Sequence, residues 1–178
     1  EWWSTEKFPD ELTHAKMASL YKKGDPGNLE NYRPIALLNT FYKCVAAILQ
    51  KRIARLVDDD IMRTQYGFRR GRSTADAIYL IRRIQENTEM GQNPGFIILL
   101  DWEKAFDRVS QSMMLQTLKY HGLPEKYIKL IAKLYEDPQF EVCIDGKKFE
   151  KRKQRTGIRQ VCPLSPYLFV ICMNAIFH

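Results

Sequence analysis

An aspartate closes a run of five apolar residues, Phe96-Ile97-Ile98-Leu99-Leu100-Asp101, and Trp102-Glu103-Lys104-Ala105-Phe106-Asp107 follows at once. An uninterrupted apolar run of this length predicts a strand buried on both faces. Asp101 would then stand at the strand's carboxyl end, where rigid backbone can aim a charge into a cleft. The plainer alternative is a strand that ends in a solvated aspartate. A phosphatase nucleophile is a third, with Glu103 as the second carboxylate, but no downstream lysine-acid set accompanies it. Two basic groups could meet an anion. In Lys22-Lys23-Gly24-Asp25…Asn31-Tyr32-Arg33-Pro34-Ile35, Pro34 pushes Arg33 into an extended conformation, away from any helix. In Gln65-Tyr66-Gly67-Phe68-Arg69-Arg70-Gly71-Arg72-Ser73-Thr74, arginines between two glycines with aromatics interleaved suit contact with a nucleic-acid backbone. That cluster could equally be a solvated charged face.

The elements that must position these groups follow from periodicity and punctuation. Residues 16–21 read as a short strand running into a Gly/Pro/Asp/Asn turn at 22–28. Residues 40–57 predict a helix, with Tyr42, Val45, Ala46, Leu49, Ile53 and Leu56 at three- and four-residue steps. Asp58-Asp59-Asp60 opposes that helix's dipole and reads as a solvated loop. Ser73 or Thr74 caps a second helix whose inner face is Ala77, Leu80 or Ile81, and Ile84. Ser110 caps a third, closed by Gly122, and Pro124 opens a fourth that ends at Asp137-Pro138. Residues 140–144 alternate as a strand, Asp145-Gly146 signals a hairpin, and the return strand carries Lys151, Arg152, Lys153 and Arg155. A last helix starts near Ser165-Pro166.

The 178 residues allow one domain or two closely packed lobes with a real core, and a net charge of +7 favours a polyanionic partner, nucleic acid before an acidic membrane. Four scattered cysteines with no CxxC pair argue against a zinc site and a disulfide framework, hence against a disulfide-linked partner. The expected setting is intracellular, nuclear or cytoplasmic, and not secreted. The apolar runs are too short to span a membrane. Both ends read as cut from a longer protein.

Four blocks in series resemble a reverse transcriptase of the non-LTR (LINE-like) retrotransposon kind, with group II intron enzymes as cousins. They are Lys22-Lys23-Gly24-Asp25…Asn31-Tyr32-Arg33-Pro34-Ile35, Gln65-Tyr66-Gly67-Phe68-Arg69, Leu100-Asp101…Lys104-Ala105-Phe106-Asp107, and Gly157-Ile158-Arg159-Gln160…Cys162-Pro163-Leu164-Ser165-Pro166. The resemblance implies an α+β fold: right-hand polymerase fingers (12–95) plus an incomplete palm (96–178), truncated before the catalytic hairpin. It implies an RNA template, a DNA primer and dNTPs as partners, and two Mg²⁺ ions about 3.5–4 Å apart in the complete enzyme. Asp101 matches the first metal-binding palm aspartate, with the Trp102 carbonyl nearby. Phe106 matches the aromatic that excludes a ribose 2′-hydroxyl. Lys23 and Arg33 match the cations that close on the triphosphate, and Gln160 the residue along the incoming nucleotide. Arg69 and Arg72 are assigned to the template strand. Glu103 and Asp107 are left as structural.

Two departures bear on activity. The family pattern has glycine after Gln160, where this chain has Val161; a β-branched side chain strains a turn that needs positive φ. The Ala-Asp-Asp hairpin would lie beyond His178, which leaves Asp101 a solitary carboxylate. The chain by itself is therefore expected to be inactive, with the 96–100 strand left without its neighbour. The alternative to a polymerase fragment is a non-catalytic relic that still grips RNA through its basic residues.

Overall fold

The computed structural model describes residues 2–6, 8–9, 12, 14–91, 94–144 and 147–177. In chain order the elements are α1 (Trp2–Thr5), β1 (His14–Tyr21), β2 (Tyr32–Leu37), α2 (Thr40–Val57), α3 (Thr74–Met90), α4 (Gln111–Tyr120), α5 (Glu125–Leu134), β3 (Gln139–Ile144), β4 (Lys147–Lys148), β5 (Arg152–Lys153) and α6 (Ser165–Phe177). Helices and one sheet together make an α+β fold.

The sheet runs β2-β1-β3-β4, with β5 also paired to β3. β1 and β2 are an antiparallel pair that sets Leu20 opposite Arg33, and β1 pairs with β3 in parallel, His14 opposite Gln139. The intervening turn is built as its composition dictates. The Asp25 carboxylate accepts from Gly27 N–H at 2.9 Å, and Asn28 Oδ1 accepts from Glu30 N–H at 3.0 Å. The Asp145-Gly146 hairpin signal falls outside the described residues, but antiparallel pairing of β4 with β3 agrees with it.

Capping sets the helix starts. Asn39 Oδ1 accepts from Phe41 N–H at the head of α2. Ser73 and Asp76 form a reciprocal capping box on α3, and Ser110 accepts from Met113 N–H on α4. One core gathers Tyr42, Leu49 and Ile53 of α2 with Met114 and Leu118 of α4, Leu130, Ile131 and Leu134 of α5, and Leu168 and Ile171 of α6. Burying each such side chain stabilises the fold by about 1.5–3 kcal/mol. At the end of α2 it is Val57 that turns inward, and Leu56 is exposed.

Three expectations are corrected. Residues 96–100 form no strand and are not buried: Phe96 is 94% exposed and Leu99 85%. A strand needs a neighbour for its N–H and C=O groups. Among the described residues every strand is already paired within the β1–β5 sheet, and none lies beside this run. The expected inner face of α3 buries no residue, with Ile81 and Ile84 both largely exposed. The acidic triplet is not a plain solvated loop: Asp58–Asp60 is a 3₁₀ turn, and Asp58 is engaged by Arg69 and Tyr167.

Candidate active site

Gly157 holds two distant segments against each other. Its N–H donates to Val109 C=O at 2.8 Å, and the next N–H, from Ile158, donates to Phe106 C=O at 2.8 Å. A Cβ at Gly157 would meet Asp107 Cα and O at 2.9 Å and Phe106 O at 3.0 Å, all backbone atoms. The φ there is +84°. Only glycine permits both the approach and the angle. The clasp places Phe106 and Gln160 on neighbouring backbone.

The tight turn at 103–108 presents Phe106. Asp107 N–H and Arg108 N–H both donate to Lys104 C=O, at 2.9 and 3.1 Å. The half-buried Phe106 ring stacks on Phe169 of α6, centroids 5.2 Å apart and 17° from parallel. Gln160 Nε2 donates to Asp107 Oδ1 at 3.1 Å and lies 3.4 Å from Oδ2. Arg159, beside it, is buried, with its guanidinium 4.9 Å from the Tyr42 ring centroid and Nη1 3.4 Å from Leu12 C=O. That contact ties the 157–162 segment to α2.

Val161 has φ +70°. It occupies the third position of a turn closed by Cys162 N–H donating to Arg159 C=O at 3.4 Å. Positive φ at that position belongs to type II turns and favours glycine, so a β-branched residue there is strained by about 1–3 kcal/mol. The strain argued from the sequence is present in the backbone.

Asp101 is exposed and lines a cavity of about 630 Å³ with Trp102, Met113, Phe169, Cys172 and Ile176. The Trp102 ring meets Phe177 edge-on at 6.4 Å. Burial in this wall pushes the Cys172 thiol up to about 11. Glu103 lines the same cavity and forms an exposed ion pair with Arg108, which lines it too. Phe106 and Gln160 do not line this cavity themselves, but Val109, which accepts from Gly157 N–H, and Phe169, on which Phe106 stacks, both do.

The basic residues divide. Lys23 and Arg33 are exposed on the β1–β2 hairpin and take no side-chain hydrogen bond or ion pair among the described residues. Arg72 is exposed, its guanidinium 5.9 Å from the Tyr66 ring centroid. Arg69 is turned inward with a side chain 5% exposed. Its Nε and Nη2 donate to the two Asp58 carboxylate oxygens at 3.0 and 2.9 Å, and Nη1 donates to Met62 C=O at 3.0 Å. This bidentate pair, with Tyr167 O–H donating to Asp58 at 2.9 Å, holds the Asp58 carboxyl below the usual carboxylate range. Burial and the Asp58 charge raise the Tyr167 phenol in turn. Arg69 therefore closes the 58–72 loop on itself through Asp58, which Tyr167 ties to α6, and its guanidinium is spent within the fold.

Sequence reasoning set Asp107 aside, yet its carboxylate is the group that holds the Gln160 amide. Its place immediately after Phe106 was the only hint. Among the described residues no three His, Cys, Asp or Glu side chains lie close enough to hold a metal ion. Asp101 and the Trp102 carbonyl do not by themselves fit a two-ion site, because hard divalent ions need several oxygen ligands.

Comparison with known proteins agrees with the motif pattern. The family model for reverse transcriptase (RNA-dependent DNA polymerase) matches residues 21–178. An uncharacterized 149 kDa protein of transposon TX1 from Xenopus laevis is 29% identical over 168 residues, covering 94% of this chain and 13% of that protein. The RNA-directed DNA polymerase from mobile element jockey of Drosophila melanogaster is 27% identical over 169 residues, 92% of this chain and 18% of the relative. A probable RNA-directed DNA polymerase from transposon BS, also of Drosophila melanogaster, is 25% identical over 177 residues, 94% and 19%. The chain thus spans less than a fifth of each of these relatives. Matched over most of its length and carrying all four sequence blocks, the chain belongs to the reverse transcriptase (RNA-dependent DNA polymerase) family, in its non-LTR, LINE-like branch.

Proposed function

We propose that this chain supplies the nucleotide-facing part of an RNA-directed DNA polymerase of a non-LTR retrotransposon, in which dNTPs are added to a primer 3′-hydroxyl along an RNA template. Residues 12–95 would be fingers and 96–178 an incomplete palm, acting inside the cell. The observation that supports this most is the Gly157 clasp, which holds the Phe106–Asp107 turn against the segment that carries Gln160. An aromatic ring there would bar a ribose 2′-hydroxyl, and the amide would lie along the sugar. Lys23 and Arg33, exposed and uncommitted, suit a triphosphate; a planar fork and a point charge together neutralise charge on a leaving pyrophosphate. Arg72, backed by Tyr66, suits a template strand. Asp101 would be one oxygen ligand of a magnesium site, which the described residues do not complete by themselves.

Primer extension by the whole protein on an RNA template tests the proposal. Wild type should extend, and Asp101→Asn should abolish extension while leaving RNA binding intact. Extension by Asp101→Asn at the wild-type rate would refute it. The strained Val161, and the lack among the described residues of a group of three metal-binding side chains around Asp101, favour a second reading, a non-catalytic RNA-binding relic. Its signature is salt-sensitive RNA binding without extension by the whole protein.

A further inference from the structure

We propose that Asp107 is a positioning residue that fixes the orientation of the Gln160 amide toward the incoming nucleotide; this rests on the polymerase function proposed above. An ionised carboxylate can only accept hydrogen bonds, and a glutamine amide has one donating and one accepting end. With both Asp107 oxygens within 3.4 Å of the Gln160 amide nitrogen, the Nε2 end is committed to Asp107 and Oε1 is turned away from it. The amide therefore offers its partner an acceptor, matched to a donor such as a sugar hydroxyl. The alternative amide flip would put Oε1 against a carboxylate and is excluded electrostatically. The pair is held at both ends by backbone: Asp107 N–H is bound to Lys104 C=O, and Gly157 packs on Asp107 Cα. Asp107 thus couples the turn that presents Phe106 to the segment that presents Gln160. It touches no substrate itself.

The test is steady-state primer extension by the whole protein, with KM for dNTP and kcat measured separately. Asp107→Asn offers a donor as well as an acceptor, so the amide loses its enforced orientation. KM should rise about tenfold with kcat within about threefold, in keeping with loss of a charge-assisted hydrogen bond. Gln160→Ala should raise KM similarly, and the two together should be no worse than Gln160→Ala alone. Exchanging the partners, Asp107→Asn with Gln160→Glu, restores a donor facing a carboxylate and should return KM to within about threefold of wild type. Gln160→Glu alone, which leaves Asp107 in place, sets two carboxylates face to face and should raise KM above that of Gln160→Ala. Multiplicative effects of Asp107→Asn and Gln160→Ala, or no recovery in the exchange, would overturn the role of Asp107 while leaving the polymerase function standing. A wild-type protein that extends no primer would remove that function and this inference together.

Discussion

Replacing Val161 by glycine and by alanine separates backbone strain from side-chain packing at the turn beside Gln160. Val161 has φ +70°, and the residue is 53% exposed. An L-residue in this region costs about 1–2 kcal/mol, with β-branched residues at the upper end. Glycine escapes that cost but gives up about 0.7 kcal/mol to unfolded-chain entropy and about as much again from a half-buried valine side chain. Val161→Gly is therefore expected to be slightly stabilising, by about 0.5 kcal/mol. Val161→Ala keeps most of the strain and loses the packing, so it should fall below wild type. The sign of the Gly–Ala difference is decisive. At positive φ glycine should be the more stable by about 1 kcal/mol, whereas at ordinary φ alanine leads by about 0.5–1 kcal/mol. Urea unfolding of this chain reads the difference as a midpoint shift of about 0.3–0.5 M at unchanged m-value. Alanine more stable than glycine would refute the strained turn.

Other outcomes follow from the same geometry. Gly157→Ala drives a methyl into the Phe106–Asp107 backbone at positive φ and should cost about 2–4 kcal/mol, seen in the same urea series. The lowered Asp58 carboxyl stabilises the fold above its ordinary titration range, near pH 4, and that stability is lost as pH falls through the lower folded value. Thermal melts from pH 6 to 3 should show a decline that Asp58→Asn flattens; the same substitution should lower stability by about 1–2 kcal/mol at pH 7. Cys172, whose thiol is pushed up to about 11, should alkylate far more slowly at pH 8 than exposed Cys44, as peptide mass mapping would report.

Local physics carried much of the fold into the sequence. The 40–57 helix, the Ser73 and Ser110 caps and the 22–28 turn depend on neighbours a few residues apart, and each stands where its residues put it. Val161 stood out only against the family pattern, which has glycine at that place, and its φ of +70° gives the departure a physical cost. The misreadings are long-range. An apolar run such as 96–100 shows that a segment resists water, but not which partner would cover it, and among the described residues no strand pairs with it. Arg69 looked like a nucleic-acid contact because its partner, Asp58, lies eleven residues earlier in what read as a solvated loop. The Asp107–Gln160 pair joins positions 53 apart, and no spacing rule reaches that far.

Nucleotide selection at Phe106 measures most directly whether the Gly157 clasp forms a deoxynucleotide pocket. In the whole protein, Phe106→Ala should raise kcat/KM for a ribonucleotide relative to its deoxynucleotide at least tenfold, because the ring proposed to exclude the 2′-hydroxyl is gone. A ribonucleotide preference unchanged from wild type, in an enzyme that still extends primers, would contradict the assignment of this site.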